Sequence, residues 1–224
     1  MESGLVPQAN RLDRQGRAGF VAAALRRAWR SGWLPRPDLD RLRGKAAQLV
    51  GDGGWRPALD RLIESLRTEA ELNEVGLTFA YVQISRLLEQ RRRAQALWRE
   101  RPEIAGFPVQ RPVVVLGHMR SGTTRLQRLL GCDPRLNHTH FYEVTTPLPS
   151  RPDWRLLESW AQLRLIDALN PEIHTVHPSS PRAVEEVFGL LAVSFYGAQF
   201  EAQWRVPGFA RWWEGQDRTW VYRE

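Results

Sequence analysis

An α/β fold with a helical N-terminal region is what three features of the sequence predict. Apolar residues recur at helical spacing from Leu59 to Trp98, and one β-branched run, Val113-Val114-Val115-Leu116, then breaks that texture. A polar, glycine-bearing loop follows the run and leads into a further helical stripe. The 224 residues, 42% hydrophobic and 25% charged, suit one domain with an appendage and exclude wholesale disorder. A single cysteine, Cys132, rules out an internal disulfide and makes a reducing compartment the default. No secretory signal is read in the first seven residues, and the longest apolar stretch, Val187 to Ala198, is too short to cross a bilayer. The expectation is a cytoplasmic protein.

Residues 1–56 mix arginine, glycine, proline and aspartate with weak periodicity, which predicts short helices or a loosely structured arm. A helical leader is expected over 57–110. Its first helix opens at Pro57, carries Leu59, Leu62, Ile63, Leu66 and Ala70 on one face, and should stop near Gly76. Its second carries Tyr81, Ile84, Leu87, Leu88, Leu97 and Trp98, holds Arg91-Arg92-Arg93 mostly towards solvent, and closes at Pro102. Residues 111–224 form the third region. There Val113–Leu116, lacking polar alternation, reads as a buried parallel strand. The helix after the loop has Leu126, Leu129 and Leu130 on one face and ends at Gly131 and Asp133-Pro134. A short second strand is expected within 136–144 and a helix over 154–169, stopped by Asn170-Pro171. A last helix should open at Ser180-Pro181, with Val184, Val187, Phe188, Leu191 and Phe195 as its stripe. Trp204, Trp212, Trp213 and Trp220 read as core rather than as a binding platform.

Net charge is +7, and residues 1–110 carry most of it, with 19 basic against 13 acidic residues. No nucleic-acid motif accompanies the excess, so it reads as a solvated helix face and no nucleic-acid partner is expected.

The chemistry is concentrated in Gly117-His118-Met119-Arg120-Ser121-Gly122-Thr123-Thr124, between the β-branched run and a helix N-terminus. Glycines allow a tight turn, successive N–H groups converge on an anion, and the helix dipole adds positive potential at the same point. Thr123 and Thr124 contribute hydroxyls and Arg120 a full charge. The spacing matches the nucleoside-triphosphate loop G-x-x-x-x-G-K-[ST] except that Thr123 stands where the lysine belongs. That departure argues against ATP or GTP hydrolysis by the usual arrangement.

With its flanking run, this loop resembles the 5′-phosphosulfate-binding loop of the sulfotransferases, specifically the bacterial family with an Arg-Ser-Gly-Thr-Thr core. Asp133-Pro134, Phe141-Tyr142-Glu143, Pro147 and Pro149, and the aromatic region from Phe195 to Trp213 extend the resemblance, which runs from about Leu59 onward. It implies a P-loop-type three-layer fold and transfer of a sulfuryl group from 3′-phosphoadenosine-5′-phosphosulfate (PAPS) to a hydroxyl or amine, without an obligatory metal. The acceptor would be a small molecule, a lipid or a carbohydrate. Arg120 and the N–H groups of Gly122, Thr123 and Thr124 would stabilise the charge that grows on the departing phosphate.

The resemblance also makes Glu143 the first candidate for the base that takes the acceptor proton, about twenty residues beyond the loop. His140, and behind it His138, compete for the role. His138-Thr139-His140 has no carboxylate or cysteine at a supporting spacing, so no metal site is expected. His177 and Glu185-Glu186 border the region, but two acidic residues in a first helical turn are explained by the helix dipole.

The family pattern further implies a later strand with an arginine and a serine for the 3′-phosphate, which this sequence does not present. The chain therefore reads as the front part of a longer protein, its sheet under-supplied with strands. Two rival readings stand beside the sulfotransferase: a P-loop kinase or other NTP-dependent transferase, marked by magnesium-dependent ATP binding, and a non-catalytic interaction fragment, whose binding loop mutations would not touch.

Overall fold

The computed structural model describes residues 8–51, 53–108, 110–118, 121–170, 172–173 and 177–217. Ten α-helices are described: α1 (Gln8–Arg30), α2 (Leu39–Val50), α3 (Arg56–Thr68), α4 (Glu74–Glu100), α5 (Thr123–Leu130), α6 (Phe141–Thr145), α7 (Arg155–Leu169), α8 (Phe188–Leu191), α9 (Gln199–Gln203) and α10 (Pro207–Glu214), with short 3-10 turns at Pro102–Gly106 and Ala192–Ser194. Among the described residues no strand forms, and the one β contact is an isolated antiparallel bridge between His140 and Val184. The α/β sheet expected from the sequence is therefore not seen in them.

Local signals explain where the helices lie. Asp38 caps α2, its carboxylate accepting the Arg41 N–H at 3.0 Å, and Asn73 caps α4 by accepting the Gly76 N–H at 2.8 Å. Pro57 sits in the first turn of α3. The stripe of α3 is buried as its spacing requires, with Leu59, Leu62, Ile63 and Leu66 at most 2% exposed. α3 ends at Thr68, and Gly76 falls in the first turn of α4 instead of ending the preceding helix. The Asn73 cap outweighs the glycine, because a cap satisfies a first-turn donor whereas one glycine costs a helix only about 1 kcal/mol.

One apolar core joins α2, α3 and α4 to the C-terminal segment. Leu42, Ala46, Trp55, Leu62, Ile84 and Leu88 meet Phe195, Phe200, Val206 and Phe209. Trp204, Trp212 and Trp213 pack against its edge, which bears out the reading of these aromatics as core. Trp220 lies outside the described residues. Arg91 corrects the expectation of a solvent-facing triplet: it is buried, its guanidinium carbon 5.2 Å from the centroid of the Trp55 ring, and it donates to the Val193 carbonyl at 3.5 Å. A guanidinium is weakly hydrated and stacks on an aromatic face, so an arginine fits there.

Three elements of the 111–224 region differ from expectation. Residues 112–118 run as unpaired chain, with Val113 63%, Val114 68% and Leu116 87% exposed, so this is not the buried strand expected. Burial of a parallel strand depends on paired neighbours on both sides, and among the described residues no strand pairs with this one. The expected second strand is replaced by the His140 bridge and the short helix α6. From Ser180 to Val187 the chain makes turns and the bridge at Val184 and not a helix, and α8 begins only at Phe188. Hydrogen bonds from the Phe141 N–H to the Ala183 carbonyl (2.9 Å) and from the Glu185 N–H to the Thr139 carbonyl (3.0 Å) hold the 183–185 backbone extended. Long-range pairing thus overrides the local Ser-Pro start signal. α7 covers the expected span and ends on Asn170, but its apolar Leu157 and Trp160 are more than half exposed.

Candidate functional site

The loop before α5 is shaped by its glycines. Gly122 is the N-cap of α5 and has φ 91° and ψ 14°, the left-handed region that only glycine enters freely. Gly117 lies under the turn: a Cβ there would stand 2.5 Å from Ser121 Oγ and 2.7 Å from Thr123 Cγ2. The Ser121 N–H donates to the His118 carbonyl at 3.1 Å, closing the loop, and the Leu126 N–H donates to the Gly122 carbonyl at 3.0 Å, starting the helix. Gly122 has no side chain with which to cap, so the first-turn N–H groups of α5 face outward without an intrahelical acceptor. Nor does α5 carry an acidic residue in its first turn. The described part of the loop is thus a solvent-exposed set of donors at the positive end of a helix, which suits an anion. Met119 and Arg120 lie outside the described residues.

Thr123 opens α5, and Thr124 follows it with its hydroxyl already engaged, donating to Glu186 Oε1 at 2.7 Å. Glu186 is delivered by the extended segment that replaces the expected helix. Contrary to what their spacing predicts, Glu185-Glu186 do not meet a helix dipole of their own: one carboxylate lies against the anion loop and the other is buried. Glu185 accepts from the Glu186 N–H at 3.1 Å and meets His177 Nε2 at 3.2 Å. Burial pushes the Glu185 carboxyl up, yet the hydrogen bonds from His177 and the Glu186 amide outweigh it and hold the group below its ordinary value. The same contact raises the His177 ring above its usual value, against the opposing effect of burial.

Glu143 and His140 come together at the start of α6: the Glu143 side chain accepts the His140 N–H at 2.9 Å, and the His140 carbonyl accepts the Glu143 N–H at 2.9 Å. The other Glu143 oxygen accepts the Tyr142 hydroxyl at 3.1 Å. Desolvation, and then the bond to Glu143, push the Tyr142 phenol up. The His140 ring stacks on Tyr142 at 5.8 Å, the Arg155 guanidinium lies 5.0 Å from the centre of that ring on another contact, and His140 Nδ1 is 3.0 Å from the Arg182 carbonyl. His138 sits edge-on to His140 at 4.9 Å. Among the described residues no three histidine, cysteine, aspartate or glutamate side chains group to hold a metal.

Beyond the C-terminal end of α6, where Thr146 follows, a cavity of about 680 Å³ opens between α4 and α7, lined by Tyr81, Arg86, Leu148, Arg155 and Ala161 among others. Arg86 is fixed by donating to Thr146 Oγ1 at 2.7 Å and Gln162 Oε1 at 3.0 Å. The sequence held no local signal for this cavity, because its walls come from segments some sixty residues apart. No described helix is long and apolar enough to cross a membrane.

The profile of the sulfotransferase family matches residues 112–219, the segment that holds the loop, Glu143 and Glu186. No curated protein matches the sequence. The crystal structure of the sulfotransferase STF1 from Mycobacterium tuberculosis H37Rv (type 1 form) is similar, at 30% sequence identity and a TM-score of 0.61, over 84% of this chain and 55% of that one. The chain therefore spans about half the length of that protein. The family profile thus covers somewhat less than half of the chain, and the structural match supports a sulfotransferase-type fold.

Proposed function

We propose that the chain carries the 5′-phosphosulfate site of a PAPS-dependent sulfotransferase. The observation that carries the reading is the loop itself, in which Gly122 is left-handed at the N-terminus of α5 and Gly117 has no room for a Cβ, within the segment matched by the sulfotransferase family. A side chain at Gly117 would press on Ser121 and Thr123, and one at Gly122 would be strained by the left-handed backbone. The N–H groups of Gly122, Thr123 and Thr124, the Thr123 hydroxyl and the Arg120 guanidinium are the groups that would hold the phosphosulfate, with His118, Met119 and Ser121 as the other residues of the proposed site. PAPS, when bound, supplies the sulfuryl group and leaves as adenosine 3′,5′-bisphosphate (PAP). Negative charge grows on the leaving phosphate, and preorganised donors aimed at that charge lower the barrier without reorganisation.

Glu143 is the proposed base. Its two oxygens each accept one protein donor, from His140 N–H and Tyr142 OH, which fixes the carboxylate while leaving lone pairs for an acceptor proton. His140 stands second, its ring oriented by the Arg182 carbonyl and the Tyr142 ring. The cavity beyond α6 has an apolar wall from Tyr81, Leu148 and Ala161 and polar groups from Arg86 and Arg155, so it suits the body of an alcohol or amine acceptor. The chain covers 55% of the mycobacterial sulfotransferase, and groups for the 3′-phosphate are assigned to no residue here.

Release of PAP from PAPS in the presence of phenol, sugar and amine acceptors tests the reading. Glu143→Gln is expected to lower kcat by 10²–10⁴-fold, the usual contribution of a positioned base, with little change in PAP affinity. Unchanged turnover in that variant removes Glu143 from the role and passes it to His140.

A further inference from the structure

The hydrogen bond between Thr124 and Glu186 is at odds with a loop that holds only anions. A hydroxyl has one hydrogen to donate, and that of Thr124 is given to Glu186 Oε1 at 2.7 Å. The carboxylate is brought there from 62 positions away and is firmly held. The Glu185 carbonyl accepts from Gln127 Nε2 of α5 and from Thr139 Oγ1, each at 3.0 Å, so its backbone is pinned to the helix and to the segment before α6 at once. The Glu185 N–H returns to the Thr139 carbonyl at 3.0 Å, and the Glu185 carboxylate fixes the Glu186 N–H at 3.1 Å. α5 offers no acidic residue of its own in its first turn and no side-chain cap, so the negative charge that complements its dipole comes from Glu186.

We propose that Glu186 is the resident counter-anion of the loop: its carboxylate holds Thr124 and must yield that hydroxyl to an incoming 5′-phosphate. The inference rests on the nucleotide reading of the loop above. Two like charges cannot share one set of donors without mutual repulsion, so the carboxylate lowers the affinity of the loop for every anion. A small anion such as inorganic sulfate, held only by the loop, does not displace it. A nucleotide that also engages the protein through its base and second phosphate does. Glu186 thereby sets both the affinity and the anion selectivity of the site.

Calorimetric titration of the wild type, Glu186→Gln and Glu186→Ala with PAP and with sodium sulfate tests this, with circular dichroism to verify the fold of each variant. Glutamine keeps the shape and an acceptor for Thr124 but removes the charge; alanine frees Thr124 altogether. Both variants are expected to bind PAP about tenfold more tightly than the wild type, the factor for one charge-assisted contact, and to acquire measurable sulfate binding. The two substitutions perturb the segment differently, so agreement between them separates the effect of charge from damage to the fold. Wild-type binding of PAP with equal or weaker affinity in the variants overturns the inference alone, and makes Glu186 a support for Thr124. Absence of PAP binding in all three folded proteins overturns the nucleotide reading and this inference with it.

Discussion

At the scale of single residues, the candidate chemistry combines a loop of chain neighbours with a carboxylate brought to it from far along the chain. Gly117, Gly122, Thr123 and Thr124 are neighbours in the chain, and their conformation follows from their own chemistry, so the loop stands out in the sequence. The contact of Thr124 with Glu186 spans 62 residues and had no local sign. His177 and Glu185, only eight residues apart, form a second pair, which yields a pH dependence. His177 has a raised value in the folded protein, so its contribution to stability is complete below the unfolded value of about 6.5 and fades as pH rises through the folded one. Glu185 has a lowered value, so its contribution is present above the ordinary carboxylate range and fades as pH falls through the folded value. His177→Gln is therefore expected to reduce stability at pH 5.5–6, by about 1 kcal/mol or less because the ring is partly solvent-screened, and to change little at pH 9. Thermal melts of both proteins across that range check it. A deficit that grows towards pH 9 contradicts the assignment.

For whole elements, periodicity was a sound guide where the helix meets the core and a poor one elsewhere. The α3 stripe is legible because every apolar position it repeats is buried. The stripe of α5 is equally regular, yet Leu126 is 50% and Leu129 66% exposed, since regular spacing makes a face without supplying anything to cover it. Val113–Leu116 fails as a buried strand for the same reason, and the 181–187 segment fails as a helix because its backbone pairs with Thr139 and Phe141. The difference predicts unequal mutational costs. Leu62→Ala should destabilise the protein by about 2–5 kcal/mol, and Leu129→Ala by less than about 0.5 kcal/mol. Urea denaturation of the two variants measures both, and equal losses would show that the α5 face is covered in solution.

Across the whole molecule, the buried mass and the candidate chemistry are in different places. The core is built by α2, α3, α4 and the Phe195–Phe209 aromatics, from the two ends of the chain, while Gly117, His118, Ser121 and Gly122 are exposed and α5 buries no residue completely. Composition and helical stripes revealed that a core exists; that residues 192–213 close it was legible only as a surplus of aromatics. The sheet expected from the β-branched run was inferred from one segment, and a sheet is a property of several. This separation means that loop substitutions should alter ligand binding while leaving the melting temperature nearly unchanged. The most direct test of the central claim, an anion loop that takes the phosphosulfate nucleotide, is calorimetric titration of the wild type and Arg120→Ala with PAP, with and without magnesium. The account predicts magnesium-independent binding that weakens by about 1.5–3 kcal/mol in the variant, the range for a lost charged hydrogen bond, at unchanged thermal stability. Binding that requires magnesium, or that is the same in both folded proteins, would contradict it.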